Sequence, residues 1–263
     1  MFVLSFLYLI SDQGETITTN IHLVRKQVLK INSCQFAQVC SQPSSIKLVK
    51  TVAVNGIAYA VCKHANSVLV ALGGNGVNEI DSNFNKRLLA KSYMHNANFV
   101  TSTGENMIVL NHPWKVNRLS PDGSSHVSSW SHTDSCSNIG ALLAFGNQII
   151  VPSRGSKLLV LYSMDGTKIR EIHCPELSYG DIAICDAGGN SVAVSTANQV
   201  IRMDLATGSV LWRNNEMGKP GGVTGYNNAV ILVGLQNCVW ILDIETGKKV
   251  YPHHWTSLRL QTK

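Results

Sequence analysis

A chain of 263 residues can bury a substantial core. Its 14% of charged residues is low against the roughly 25% of ordinary domains, which excludes a disordered or solvating segment. The net charge of +6, from 22 Lys+Arg and 16 Asp+Glu, gives a pI near 8.9 without the clustered cations of a dedicated nucleic-acid binder.

The chain opens on "MFVLSFLYLI", an apolar run with no basic flank and no small-residue cleavage site. It therefore reads as part of the fold rather than a signal peptide, and it is too short to span a bilayer. "LYLISDQGETITTNIH" (Leu7 to His22) matches the later "LVLYSMDGTKIREIH" (Leu159 to His173), so the chain begins in the middle of a structural unit. "SQPSS" (Ser41 to Ser45) is a linker, and "IKLVKTVAV" (Ile46 to Val54) is a single strand. Asp12 and Asp81 stand 69 residues apart, which implies a fragment or a lost segment in this region.

Beyond residue 55 the sequence repeats. Asn66, Asn106, Asn147, Asn190 and Asn228 each open an alternating apolar run, at steps of 40, 41, 43 and 38 residues. The runs carry Val68 and Val70, Ile108 and Leu110, Ile149 and Val151, Val192 and Val194, and Val230 and Leu232. A second register of turn residues, Asp81, Asp122, Asp165, Asp204 and Asp243, keeps the same period with steps of 41, 43, 39 and 39. Each unit holds four short runs at strand period, separated by Asn-, Gly- and Asp-rich turns, and helical periodicity is absent. Four antiparallel strands in about 40 residues cannot hide two apolar faces alone, and must stack against copies of themselves.

The fold class is therefore all-β, a β-propeller of four-stranded antiparallel blades. About six blades are expected, five complete and one partial. Residues 1–55 hold the partial blade, the linker and a strand that completes the last blade across the ring closure. Residues 56–257 hold the five complete blades, and 258–263 form a tail. Trp130, Trp212, Trp240 and Trp255 fall on strands or near their ends and are expected in the core.

The turns "DLATG" at Asp204 and "DIETG" at Asp243 resemble the repeat signature of quinoprotein-like propellers. The other three, "DSNFNK", "SPDGSS" and "SMDGTK", look more like NHL or WD40-like blades. "SSIKLVKTVAVNGIAYAV" (Ser44 to Val61) resembles the lead-in to the propeller of TRIM-NHL-like proteins. That resemblance implies recognition of proteins or RNA, often within ubiquitin ligases. No RING or B-box spacing is present, so no ligase activity carries over.

Function is expected on the face bearing the loops between second and third strands and the connections between blades. The candidate partner-binding residues there are the aromatics Tyr93, Trp114 and Tyr179, the cations Arg154, Lys157 and Lys219, and His95, His112 and His132. Next to this stands the reading in which such aromatics merely fill the groove between blades.

The histidines lack ligand spacing, so no metal is expected. The seven cysteines (Cys34, Cys40, Cys62, Cys136, Cys174, Cys185, Cys238) are odd in number and form no C-x-x-C pair. They read as reduced thiols of a cytoplasmic, monomeric protein, and N-x-[ST] acceptors are absent. A protein partner is the first reading. The second is RNA, held by Trp114 and Tyr179 beside Arg154 and Lys157. The third, a quinoprotein enzyme, needs acids at the ring centre, yet only Glu79 and Asp181 fall near inner strands. The expectation is thus a scaffold without cofactor or catalysis, off the membrane.

Overall fold

The computed structural model describes residues 2–10, 16–19, 34–35, 45–54, 58–89, 96–103, 105–111, 115–132, 139–177, 182–216, 220–226, 229–234 and 238–250. Every named element among them is a strand. β1 (Phe2–Ile10), β2 (Thr16–Thr19), β3 (Cys34–Gln35) and β4 (Ser45–Val54) form an N-terminal sheet of order β2-β1-β4-β3.

Five blades follow. Blade 1 is β5 (Ala60–His64), β6 (Ser67–Ala71), β7 (Val77–Ile80) and β8 (Lys86–Leu88). Blade 2 is β9 (Ala97–Ser102), β10 (Met107–Asn111), β11 (Lys115–Leu119) and β12 (His126–Ser131). Blade 3 is β13 (Leu143–Phe145), β14 (Gln148–Ser153), β15 (Leu158–Ser163) and β16 (Lys168–His173). Blade 4 is β17 (Ala183–Asp186), β18 (Ser191–Ser195), β19 (Val200–Asp204) and β20 (Val210–Asn214). Blade 5 is β21 (Pro220–Tyr226), β22 (Ala229–Gly234) and β23 (Cys238–Asp243), with its fourth position marked by a bridge between Leu242 and Lys249. Each blade is an antiparallel meander. The architecture is a β-propeller with five blades, the five complete ones expected from the repeat, rather than the six expected in all; the strands of residues 1–55 form the separate N-terminal sheet.

Period-two alternation explains the stacking, because successive strand residues face opposite neighbours. On β6, Leu69 and Ala71 pack against Met107 and Val109 of blade 2, while Val68 and Val70 pack the other way, against Val52 and Val54 of β4. The same division recurs on β18, where Val192 and Val194 meet Leu159 and Leu161 of blade 3 and Ala193 meets Val230 and Leu232 of blade 5.

Two sequence assignments shift. Ile46–Val54, read as a ring-closing strand of the last blade, lies in β4, which pairs with β1 and β3 instead. The long apolar run of β1 offers nine partners, Phe2↔Val54 to Ile10↔Ser45, and captures it. In blade 2 the Asn-anchored pair Ile108 and Leu110 faces the following blade, whereas the other four pairs face the preceding sheet. Residues 103–106 separate Ser102 from Met107 there, whereas 65–66 alone separate His64 from Ser67, so Asn106 is not the equivalent of Asn66. A slip of one residue exchanges the two faces of a strand.

The turns between third and fourth strands are the most regular feature. Their carboxylates accept from nearby turn donors: Asp81 from the Asn83 and Asn85 amides, Asp122 from Ser124, Asp204 from Thr207 and Asp243 from Thr246. In blades 2 and 3 a serine takes the first turn position (Ser120, Ser163), and the Asp moves two residues on. The carbonyl of the second turn residue turns outward to the preceding blade. Pro121 O accepts from His64 Nε2 at 2.6 Å, Met164 O from Arg118 at 3.5 Å, and Leu205 O from Arg170 at 3.0 Å. Ile244 O accepts from both Arg202 (2.8 Å) and the Trp212 indole (2.7 Å). One cross-blade device thus recurs at four successive junctions.

Glycine closes these contacts. Gly166 and Gly247 sit at φ +91° and +65°, and a Cβ on either would fall 2.5 Å from the ring of Trp130 or Trp212 of the preceding blade. Trp212 is buried, as expected of the core; Trp130 and Trp240 are half-buried, and Trp255 lies outside the described residues.

On the rim, β12, β16 and β20 each carry a bulge whose extra residue is exposed: Val127 (50%), Ile169 (50%) and Leu211 (51%).

Gly247→Ala is expected to lower stability by about 2–4 kcal/mol, from overpacking and left-handed backbone strain together, read as a shift in the urea midpoint. Gly189→Ala (φ +60°), whose added Cβ meets nothing within 4 Å, is expected to cost about 1–2 kcal/mol, the strain alone.

The hydrogen bonds from Ser120 and Ser124 hold Asp122 down to about 2, and similar bonds lower Asp81, Asp165, Asp204 and Asp243. A depressed carboxylate stabilises the fold above the unfolded value of about 3.9 and loses that contribution as pH falls toward 2. An acid titration followed by circular dichroism is therefore expected to lose structure progressively between about pH 4 and 2.

Candidate functional site

Alternating strand directions place two sets of loops on opposite faces of the wheel. The loops from second to third strands, and the entries to the inner strands, share one face. The hairpins from first to second and from third to fourth strands share the other.

On the first face the structure brings Arg154 and Lys157 onto one tight loop between β14 and β15. Arg154 is half-buried and reaches inward over Gly140, where a Cβ would lie 2.8 Å from its Nε and 2.6 Å from Ile182 of blade 4. Only glycine leaves room for that crossing. Lys157 is exposed at φ +56°, and its carbonyl accepts from the Cys174 amide at 2.8 Å.

His132 takes the groove position instead. It is buried, its Nδ1 is 2.6 Å from the Tyr162 hydroxyl, and the two rings meet edge-on, bridging blades 2 and 3. Tyr93, His95, His112, Trp114, Tyr179 and Lys219 lie outside the described residues.

Sequence reasoning missed Tyr59. It is 45% exposed at the entry to β5 and rests on Gly73 of the adjoining loop, where a Cβ would come within 2.8 Å of its ring. The signal was available in the pairing of an aromatic before the inner strand with "GG" at residues 73–74. In the strand pattern, however, it read only as one more apolar residue.

The inner strands β5, β9, β13, β17 and β21 together line a central channel of about 260 Å³. Its wall contains Cys62, Thr101, Ser102, Cys185 and Thr224, with Lys63 and Asp186 exposed at the hairpin end. Burial pushes the Cys62 and Cys185 thiols well above the ordinary range, and burial with the neighbouring Glu176 carboxylate pushes Cys174 up to about 12. These thiols are protonated at neutral pH and are poor nucleophiles.

Seven acids of the described residues are committed elsewhere. Glu79 pairs with Arg87 at 2.6 Å and Glu176 with Arg213 at 2.5 Å; these bonds outweigh partial burial and hold both carboxyls below the usual range. Asp81, Asp122, Asp165, Asp204 and Asp243 all sit in outer turns, and Asp181 lies outside the described residues.

No protein-family model and no curated protein matches the chain. Among solved structures it is similar to the computationally designed Ika8 protein, with a TM-score of 0.55 and 13% identity over 77% of this chain and 64% of that one. It thus spans less than two thirds of that chain's length. The WD40 domain of Neurospora crassa Pan2 gives a TM-score of 0.49, 14% identity, and coverage of 59% of this chain and 48% of that chain. Likeness at such identities speaks to fold alone. The class these strands define is the β-propeller. Among the described residues, no helix is long and apolar enough to cross a membrane.

Peptide mapping after thiol-specific labelling at pH 8 is expected to leave Cys62, Cys174 and Cys185 unmodified in the folded protein and modified after unfolding in urea.

Proposed function

We propose that the chain is a non-catalytic interaction domain, a scaffold that binds a protein partner on its loop face. Tyr59 carries this reading: a half-exposed aromatic held rigidly on a glycine seat, on the same face as Arg154 and Lys157. A pre-ordered ring loses little conformational freedom on binding, and aromatics with Arg dominate interface energetics. Tyr93, His95, His112, Trp114, Tyr179 and Lys219 would extend the surface around the same face, while His132 supports it from within the groove. The reading includes a monomer working in the cytoplasm, and at its finest a substrate-recognition module like those of TRIM-NHL-like proteins.

RNA is the second reading, and Lys157 is its favouring observation: an exposed cation on the same face. Arg154, by contrast, is turned inward over Gly140.

Affinity capture with the wild-type domain, compared with Tyr59→Ala and Lys157→Glu, separates the readings. The expected result is a specific protein retained by wild type and reduced about tenfold by Tyr59→Ala, in line with a hot-spot loss of about 1–2 kcal/mol. Salt-sensitive recovery of RNA that is lost with Lys157→Glu would support the second reading. Recovery of neither would overturn both.

A further inference from the structure

The geometry points to a small-molecule site at the hairpin end of the central channel, on the face opposite the proposed protein surface, and we propose that it binds a small zwitterion. The channel's 260 Å³ lies just under the roughly 300–1,000 Å³ of drug-sized sites, so its occupant is metabolite-sized.

Its walls are the inner edges of five inner strands, whose backbone N–H and C=O groups demand polar partners. The side chains agree. Thr224 adds a hydroxyl, while the Thr101 hydroxyl is committed to the Ala144 amide at 3.0 Å and the Ser102 hydroxyl to His64 Nδ1 at 2.6 Å. Cys62 and Cys185 are neutral thiols.

Among the described residues that line the channel only two are charged, Lys63 on β5 and Asp186 on β17. These strands are not neighbours, since β9 and β13 stand between them in chain order. Among the described residues no ion pair joins the two, and one oxygen of Asp186 accepts from the Gly188 amide at 2.7 Å. Opposite charges at one channel mouth that form no ion pair with each other select their ligand by sign. A lone anion meets Lys63 favourably and Asp186 unfavourably, and a lone cation the reverse. A molecule with both groups satisfies both: its carboxylate accepts from Lys63 Nζ, and its ammonium donates to the Asp186 carboxylate.

Calorimetric titration of the full chain with glycine, 4-aminobutanoate and 6-aminohexanoate varies the distance between the two charges. Butanoate and butylamine each present one charge. The expected result is saturable one-to-one binding of at least one amino acid of the series, at least tenfold tighter than either control. Lys63→Met and Asp186→Asn should each weaken that binding at least tenfold. Asn keeps an oxygen for the Gly188 amide, so the hairpin cap survives the substitution. The proposal is overturned if no member of the series saturates, if a control binds as tightly, or if folded variants retain the affinity. Should a variant fail to fold, the comparison of amino acids with single-charge controls on wild-type protein decides alone.

Discussion

The wheel depends on what happens to one carbonyl per blade. A tight turn between the third and fourth strands leaves the C=O of its second residue pointing out of the blade, where it would be unpaired. At four junctions a donor from the preceding blade reaches it: His64, Arg118, Arg170, and Arg202 with Trp212. At the buried one, Ile244 O, losing the partners costs about 1–3 kcal/mol. The apolar interfaces supply most of the attraction between blades, but they are nearly continuous and would tolerate sliding. The polar contact is directional and fixes each blade at one height and angle relative to the next.

His64 illustrates how chemistry narrows the options at that contact. A carbonyl can only accept, so Nε2 must carry the proton toward Pro121, and Nδ1 of the neutral ring accepts from Ser102. The same residue pins the end of the blade 1 inner strand to blade 2. The strand whose Cys62 and Lys63 line the channel is therefore anchored at a blade junction, and the lumen inherits the rigidity of the stack.

How much of this was legible follows from which signals are local. The blade period could be read because strand alternation and turn chemistry are written in adjacent residues, as at Asp204 and Asp243. The order of strands within a blade followed from short connections. What escaped depended on parity or on distant pairing. Asn106 looked like Asn66 until its longer hairpin shifted Ile108 to the other face, and Ile46–Val54 found its partner in Phe2–Ile10. At the site, Arg154 and Lys157 could be placed on one loop from sequence, but not that Gly140 lets Arg154 fold inward. Tyr59, Lys63 and Asp186 gain meaning only once five strands are arranged about an axis. No linear spacing encodes that arrangement.

The exposed apolar side chains on the rim, Val127, Ile169 and Leu211, would ordinarily mark a hazard, because an open outer strand is a template for another chain's backbone. Each is the surplus residue of a bulge, so the ladder of free amide and carbonyl groups breaks its spacing where the side chain is most adhesive. Two wheels meeting rim to rim could bury these side chains, yet could not continue one sheet into the next. Blades 2 to 4 are thereby guarded against fibrous association while their outermost strands remain uncovered.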